Sequence, residues 1–181
     1  MAAEGHQHHH HGHGEYRFCP SCGGSLKPRQ LKAGEPERLV CQECSFIFYL
    51  DPKVVAGTIF TIDGAVALLR RGIEPAMGKW VFPGGYVDRG ESVQEAAVRE
   101  TKEESDLDVR LSSLLGVYSY PGKRDVIVVY AAEVIGGKLK PQDECTEAGT
   151  FSQSTIPWGE LAFPSTQEAL RDYLKHYPAL K

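Results

Sequence analysis

Arg99-Glu100-Thr101-Lys102-Glu103-Glu104 gathers three carboxylates into a run of six residues. On a helix Glu100, Glu103 and Glu104 stand at i, i+3 and i+4 and share one face. Like charges on adjacent turns repel, so a fold keeps such a face either in solvent or against a cation. Oxygen donors suit Mg²⁺ or Mn²⁺, and Mg²⁺ usually works on substrate phosphates. Phosphate chemistry is therefore the first expectation.

A second set of donors lies upstream. Cys19 and Cys22 form one C-x₂-C pair and Cys41 and Cys44 another, and Gly23-Gly24 helps the first to turn. Two such pairs fit a four-thiolate zinc ribbon. A closed four-sulfur site has no open position, so its role is structural. Disulfides or a redox pair are the alternatives, and neither needs this doubled spacing. Cys145 has no partner by spacing. Lys27, Arg29, Lys32 and Arg38 lie between the knuckles, but Glu35, Glu37 and Glu43 offset them, which argues against a nucleic-acid role.

The elements that must position these groups follow from pattern. Val54–Ile62 reads as one buried strand, Asp63-Gly64 as a hairpin turn and Ala65–Leu69 as its partner. Trp80-Val81-Phe82 is a short strand stopped by Pro83-Gly84-Gly85. Ser92 and Glu95 form a capping box that opens a helix running to about Glu104. Val109–Tyr118 and Val126–Val134 read as strands, the second central. Ala148–Ser152 is a short strand, Pro157–Leu161 a helical turn and Ser165–His176 a last helix with Ala169, Leu170, Tyr173 and Leu174 as its stripe. Glu147 is read as a loop residue. Without regular βαβ alternation the fold class is α+β, a mixed sheet between helices.

The chain has 181 residues, 41% hydrophobic and 24% charged, with a formal net charge of −4. Those values suit one ordinary domain plus a small module and give no general attraction to nucleic acid or anionic membrane. No apolar run reaches the roughly 18–20 residues of a membrane span, and the amino terminus lacks a secretory apolar core. A cytoplasmic protein is expected. Residues 1–15, with six histidines, read as a disordered tail outside the site.

From Gly85 to Asp106 the chain resembles the Nudix box: Gly85, Glu91, Arg99, Glu100, Glu103 and Glu104 fall on its positions. Thr101 stands where an aliphatic residue is usual, Ser105 for the glycine that ends the helix and Asp106 for an aliphatic residue. The ribbon, Asp51–Val54, Ile156-Pro157-Trp158 and Leu161-Ala162-Phe163 are similar to the zinc-ribbon branch, including FAD and ADP-sugar diphosphatases. The resemblance implies a Nudix-type α/β/α sandwich over residues 51–181, preceded by a ribbon over 16–50. It also implies a diphosphatase that splits FAD, ADP-ribose or an ADP-sugar into a nucleoside monophosphate and a phosphorylated remainder. The NADH diphosphatase run Ser-Gln-Pro-Trp-Pro-Phe-Pro is missing, which demotes NADH. Pro121 fits the ADP-ribose type.

By that resemblance Glu100, Glu103 and Glu104 hold Mg²⁺ or Mn²⁺, with the Gly84 carbonyl as a further ligand. Glu100 could instead be oriented by Arg99. The base is Glu103, Glu104 or Glu147. Glu91 with Arg99, and Gly85, support the site. Arg70, Arg71 and Lys79 are candidates for phosphate, and Tyr118 and Tyr120 for stacking on a planar ring. The partner is a small nucleotide, a homodimer is compatible, and no membrane is involved. The alternatives are a weak nucleotide-binding module and an enzyme acting on RNA 5′ ends.

Overall fold

The computed structural model describes residues 16–177, so the histidine-rich segment lies outside the described residues. The chain divides into two compact units after Asp51.

In the first unit three short strands, β1 (Leu26–Arg29), β2 (Arg38–Cys41) and β3 (Ile47–Phe48), form an antiparallel sheet in that order. The knuckles turn through left-handed residues. Gly23 at φ 76° follows the first pair, and Ser45 at φ 59° takes the same place after the second. A Cβ on Gly24 would overlap the Glu43 side chain, so the second knuckle requires a glycine there.

The second unit is built on a four-stranded sheet in the order β8-β4-β10-β9. Its strands are β4 (Lys53–Ile59), β8 (Gly84–Tyr86), β9 (Leu107–Ser119) and β10 (Asp125–Gly137). Strand β10 is central, parallel to β4 and antiparallel to β9, so the sheet is mixed. A second sheet joins β5 (Thr61–Ile62), β6 (Ala65–Arg71) and β11 (Cys145–Phe151), with β7 (Trp80–Val81) paired to β6.

The single strand expected over Val54–Ile62 is two strands in different sheets. The chain crosses at Phe60, which is buried beside Ala67 and Leu107, whereas Ile59 packs with Val66, Leu68 and Val129. A continuous apolar run looks the same whether it serves one sheet or two. The Asp63-Gly64 turn forms as expected, with φ 50° and 80° between paired Ile62 and Ala65. Strand β8 was not expected; Gly84 and Gly85 do not end pairing but continue it against Gly57 and Ala56.

Helix α1 (Val93–Ser105) opens on Ser92, and both halves of the capping box with Glu95 are present. Fully buried Ala96 and Ala97 bring it against Ala56 of β4. On the other face of the sheet, the second sheet and α2 (Pro164–His176) enclose a core that includes Ile59, Leu68, Trp80, Val129 and Leu170. A 3₁₀ turn, Trp158–Glu160, precedes α2.

Two features of α1 revise the sequence reading. Ser105 is not the left-handed residue. It is the last helical residue, fully buried, with its hydroxyl donating to the Thr101 carbonyl. Asp106 adopts φ 60°, its N–H closes on the Lys102 carbonyl at 3.0 Å, and the aliphatic residue after it is Leu107, 2% exposed. The pattern is therefore met one residue further on. Aspartate visits this conformation more readily than most residues, and Lys102 pairs with its carboxylate at 3.2 Å. The departure at the helix exit is thus smaller than it looked, and restoring glycine means D106G rather than S105G.

Thr101 is polar because it has a buried partner. Its hydroxyl donates to the Ala97 carbonyl at 2.7 Å and accepts from the Thr58 hydroxyl of β4 at 2.6 Å, and both residues are fully buried. T101V leaves the Thr58 hydroxyl without its acceptor and should cost about 1–3 kcal/mol. T58V leaves the Thr101 donor satisfied and should cost less, and T58V/T101V should be more stable than T101V alone. Denaturant midpoints of the three variants check this order.

Candidate active site and metal centre

Arg99 organises the acidic face of α1. Its Nε and one terminal nitrogen bind both oxygens of Glu91 at 2.8 and 2.9 Å. The other terminal nitrogen binds Glu100 at 2.7 Å and Glu103 at 3.0 Å. A last N–H reaches the Tyr86 carbonyl of β8 at 3.1 Å. The planar guanidinium thus ties the preceding loop, the helix and the edge strand together.

The loop side of this bond is fixed twice, because the Asp88 N–H also donates to Glu91 at 3.1 Å. The bond from Arg99, helped by that amide, holds the Glu91 carboxyl far below its usual value, at about 2.

The two inner acids behave oppositely. Glu104 is 9% exposed and accepts the Gly84 N–H at 2.9 Å. Burial, reinforced by the Glu100 charge, pushes its carboxyl up to about 7 against the lowering effect of that amide. Burial also raises Glu100, with Arg99 opposing it. Two carboxylates that are costly to ionise side by side gain from a nearby cation. Glu103 is the outermost, its side chain 46% exposed.

The backbone approaches these acids closely. A Cβ on Gly85 would strike the Glu100 carboxylate, and one on Gly84 would lie 2.6 Å from the Ala56 carbonyl oxygen. Both positions require glycine because helix and strand meet there without side chains between them.

The glutamates do not converge on one point as the cysteines do. Among the described residues, Cys19, Cys22, Cys41 and Cys44 form the group whose donor atoms all lie within 4.8 Å of one another. The donor set on α1 still fits a hard cation, since Mg²⁺ keeps several of its waters and binds through few carboxylates. The cysteine sulfurs lie 3.3 Å (Cys22–Cys44), 3.5 Å (Cys22–Cys41) and 3.8 Å (Cys19–Cys44) apart. Tetrahedral Zn–S bonds of about 2.3 Å place sulfurs roughly 3.8 Å apart. The thiols are free, and the Cys44 N–H, then that of Glu43, lowers the Cys41 thiol to about 7. That environment favours the thiolate a metal needs.

The expected substrate contacts fare unevenly. Arg70 is committed to Glu147 at 3.1 Å and Glu160 at 3.2 Å, with its guanidinium 5.1 Å from the Trp80 ring centre. Glu147 is not on a loop but on β11, where its register partner is Arg70. Arg71 donates to the Pro75 carbonyl at 2.8 Å, and its charge acts on Glu104. Lys79 reaches only the Gly159 carbonyl, at 3.4 Å.

Tyr118 corrects the stacking expectation. It is 7% exposed within the core, its hydroxyl donates to Asp172 at 3.1 Å, and its ring has no open face for a ligand. Tyr120 is half-buried against the same core. The exposed aromatic beside the acids is Tyr86, which sequence reading passed over although it directly follows Gly84-Gly85.

The Glu91 bond makes a pH-dependent contribution of known sign. A carboxyl held at about 2 rather than an ordinary 4.5 stabilises the fold at neutral pH and loses that effect as pH falls from about 5 towards 2. E91Q should therefore be less stable than wild type at pH 7, with the gap closing below pH 4. Denaturant titrations across that range measure it.

The first unit and the second each match a family model: the Nudix N-terminal zinc-ribbon model over residues 17–50 and the NUDIX domain over residues 51–177. An ADP-ribose pyrophosphatase of Methanocaldococcus jannaschii is 39% identical over 131 residues, 70% of this chain and 76% of that protein. The NAD-capped RNA hydrolase NudC of Stutzerimonas stutzeri is 30% identical over 91% of this chain, which spans 57% of that relative's length. A crystal structure of a NUDIX hydrolase from Nitrosomonas europaea superposes with a TM-score of 0.83 at 32% identity, covering 90% of this chain and 93% of that one. No helix among the described residues is long and apolar enough to cross a membrane. With its capped acidic helix, its glycine strand and its four-cysteine ribbon, the chain belongs to the Nudix hydrolase family.

Proposed function

We propose that the enzyme hydrolyses the diphosphate of a nucleoside diphosphate joined to another moiety, with ADP-ribose, ADP-sugars and FAD as the leading substrates. The observation that carries this reading is the acidic face of α1, held by Arg99 on one side and by the Gly84 amide on the other. Glu100, Glu103, Glu104 and the Gly84 carbonyl would hold Mg²⁺ or Mn²⁺. When bound, such an ion neutralises the diphosphate and lowers the pKa of an attacking water.

The chain's own groups set the geometry. Arg99 fixes one oxygen each of Glu100 and Glu103 and leaves the other outside those bonds. The Gly84 N–H holds Glu104 Oε2, so Oε1 is the oxygen left to face the substrate. Arg71 is the cation whose charge reaches this carboxylate. Glu103 or Glu104 receives the proton of the attacking water. Glu147 is the weaker candidate, because Arg70 already holds its carboxylate.

The resemblance to an ADP-ribose pyrophosphatase supports the small-nucleotide reading, and the NudC relatives motivate a second one, hydrolysis of a capped RNA 5′ end. Release of AMP from ADP-ribose, FAD, NADH and NAD-capped RNA, with Mg²⁺ or Mn²⁺, tests both. We expect turnover of ADP-ribose or FAD, and a loss of about 10²–10⁴-fold in kcat in E103Q and E104Q. Preferred, salt-sensitive turnover of the RNA would instead establish the second reading. Protein that leaves the whole panel intact would refute the activity.

The four cysteines would hold a structural zinc. Ribbon folding then draws on about 10–16 kcal/mol of metal binding. Zinc removal by a strong chelator should release the amides of β1, β2 and β3 to rapid hydrogen exchange, and added Zn²⁺ should restore their protection.

A further inference from the structure

Four paired residues cross the main sheet in one line. Tyr86 of β8 is the register partner of Val55, Val55 of Ile127, and Ile127 of Tyr118. Directly opposed residues share a face of the sheet, so all four side chains point the same way. Exposure rises along the line. Tyr118 is buried, Ile127 and Val55 are half-buried, and Tyr86 is 47% exposed.

Tyr86 is anchored rather than loose. Its hydroxyl lies 3.5 Å from Asp125 and 3.3 Å from Arg124, and Lys53 sits 6.0 Å from its ring centre. Its own carbonyl accepts from Arg99, and its neighbours Gly85 and Gly84 abut Glu100 and Glu104. An exposed ring with restricted orientation therefore stands one residue from the candidate catalytic acids.

We propose that Tyr86, Val55 and Ile127 form a shelf for a second planar ring, which makes the preferred substrate a dinucleotide with a ring at each end. Three adjacent strands span roughly 10 Å, the scale of a fused heterocycle rather than a pentose. An aromatic face accepts any such ring, and Lys53 and Arg124 make the rim cationic, offset in part by Asp125. The shelf rests on the diphosphatase reading, since only that reading brings a diphosphate to the neighbouring acids.

The test compares FAD, with two rings, and ADP-ribose, with one, on wild type, Y86A and Y86F. Alanine keeps the backbone carbonyl that Arg99 uses. Stacking on Tyr86 contributes to binding before the reaction, so Y86A should raise KM for FAD about tenfold relative to KM for ADP-ribose, with little change in kcat for FAD. Y86F keeps the ring and should restore the wild-type ratio. An unmoved ratio, or an equal rise for both substrates, would overturn the shelf. Quenching of flavin fluorescence with no Mg²⁺ added reads binding separately. Ring-dependent FAD binding without turnover of any substrate would refute the diphosphatase and leave the shelf standing, whereas FAD that does not bind at all would remove the shelf.

Discussion

Arg99 lets α1 exist in this form. Glu103 and Glu104 lie in the last turn of the helix, where the partial negative charge of the helix end opposes further anions. Glu100 is one turn back on the same face, so the segment is electrostatically self-opposed. A guanidinium has five N–H donors in a fixed plane, and here they serve Glu91, Glu100, Glu103 and a main-chain carbonyl together. A lysine ammonium is a point charge with three donors and could not hold that set in one geometry. Part of the charge stays uncompensated at Glu104, which lies deeper and answers to an amide instead. Stability and function pull against each other there, as they often do at sites that handle charge.

The second constraint is closeness. Ala56, Ala96 and Ala97 are fully buried, and Gly84 and Gly85 have no room for a side chain. Small residues on both partners let helix and strand approach until carboxylates reach backbone amides. The Thr58–Thr101 pair sits in the same interface and replaces an apolar contact with a directional one. A hydrogen bond between two hydroxyls fixes the rotation of the helix against β4 more narrowly than two methyl groups would, because it has a preferred angle as well as a distance.

What could be read in advance divides along the range of the interactions. The capping box at Ser92, the hairpin turn at Asp63-Gly64 and the two cysteine knuckles each depend on residues within a few positions, and all were legible. The crossing of the chain at Phe60, the strand at Gly84–Tyr86 and the incorporation of Glu147 into β11 depend on partners far along the chain, and no local pattern marks them. The exit of α1 is instructive in another way. Counting along the motif set the left-handed residue one place too early, whereas the hydrogen bond that closes the last turn runs from Asp106 to Lys102. Alternation also put Tyr118 and Tyr120 on one face correctly enough, but alternation gives direction and not depth. Tyr118 lies under a core that includes Leu170 and Tyr173 of α2, and so it is closed off.

Depth is also what separates chemistry from selectivity in this site. Strand β8 has three residues, and successive side chains on a strand leave by opposite faces. Gly85 abuts Glu100 on the helix side, so Tyr86 must project from the other side, where its partner Val55 lies. The strand is at the edge of the sheet, which leaves Tyr86 uncovered where a central residue would be enclosed. One short segment therefore meets the acids through its backbone and presents an aromatic surface through its last side chain. A change at residue 86 can alter what is held without disturbing the Arg99 bond, because that bond uses only the carbonyl. By contrast, any side chain at residue 85 displaces Glu100 directly. Adjacent positions in the chain thus carry separable demands, and the geometry of a pleated edge strand is sufficient to separate them.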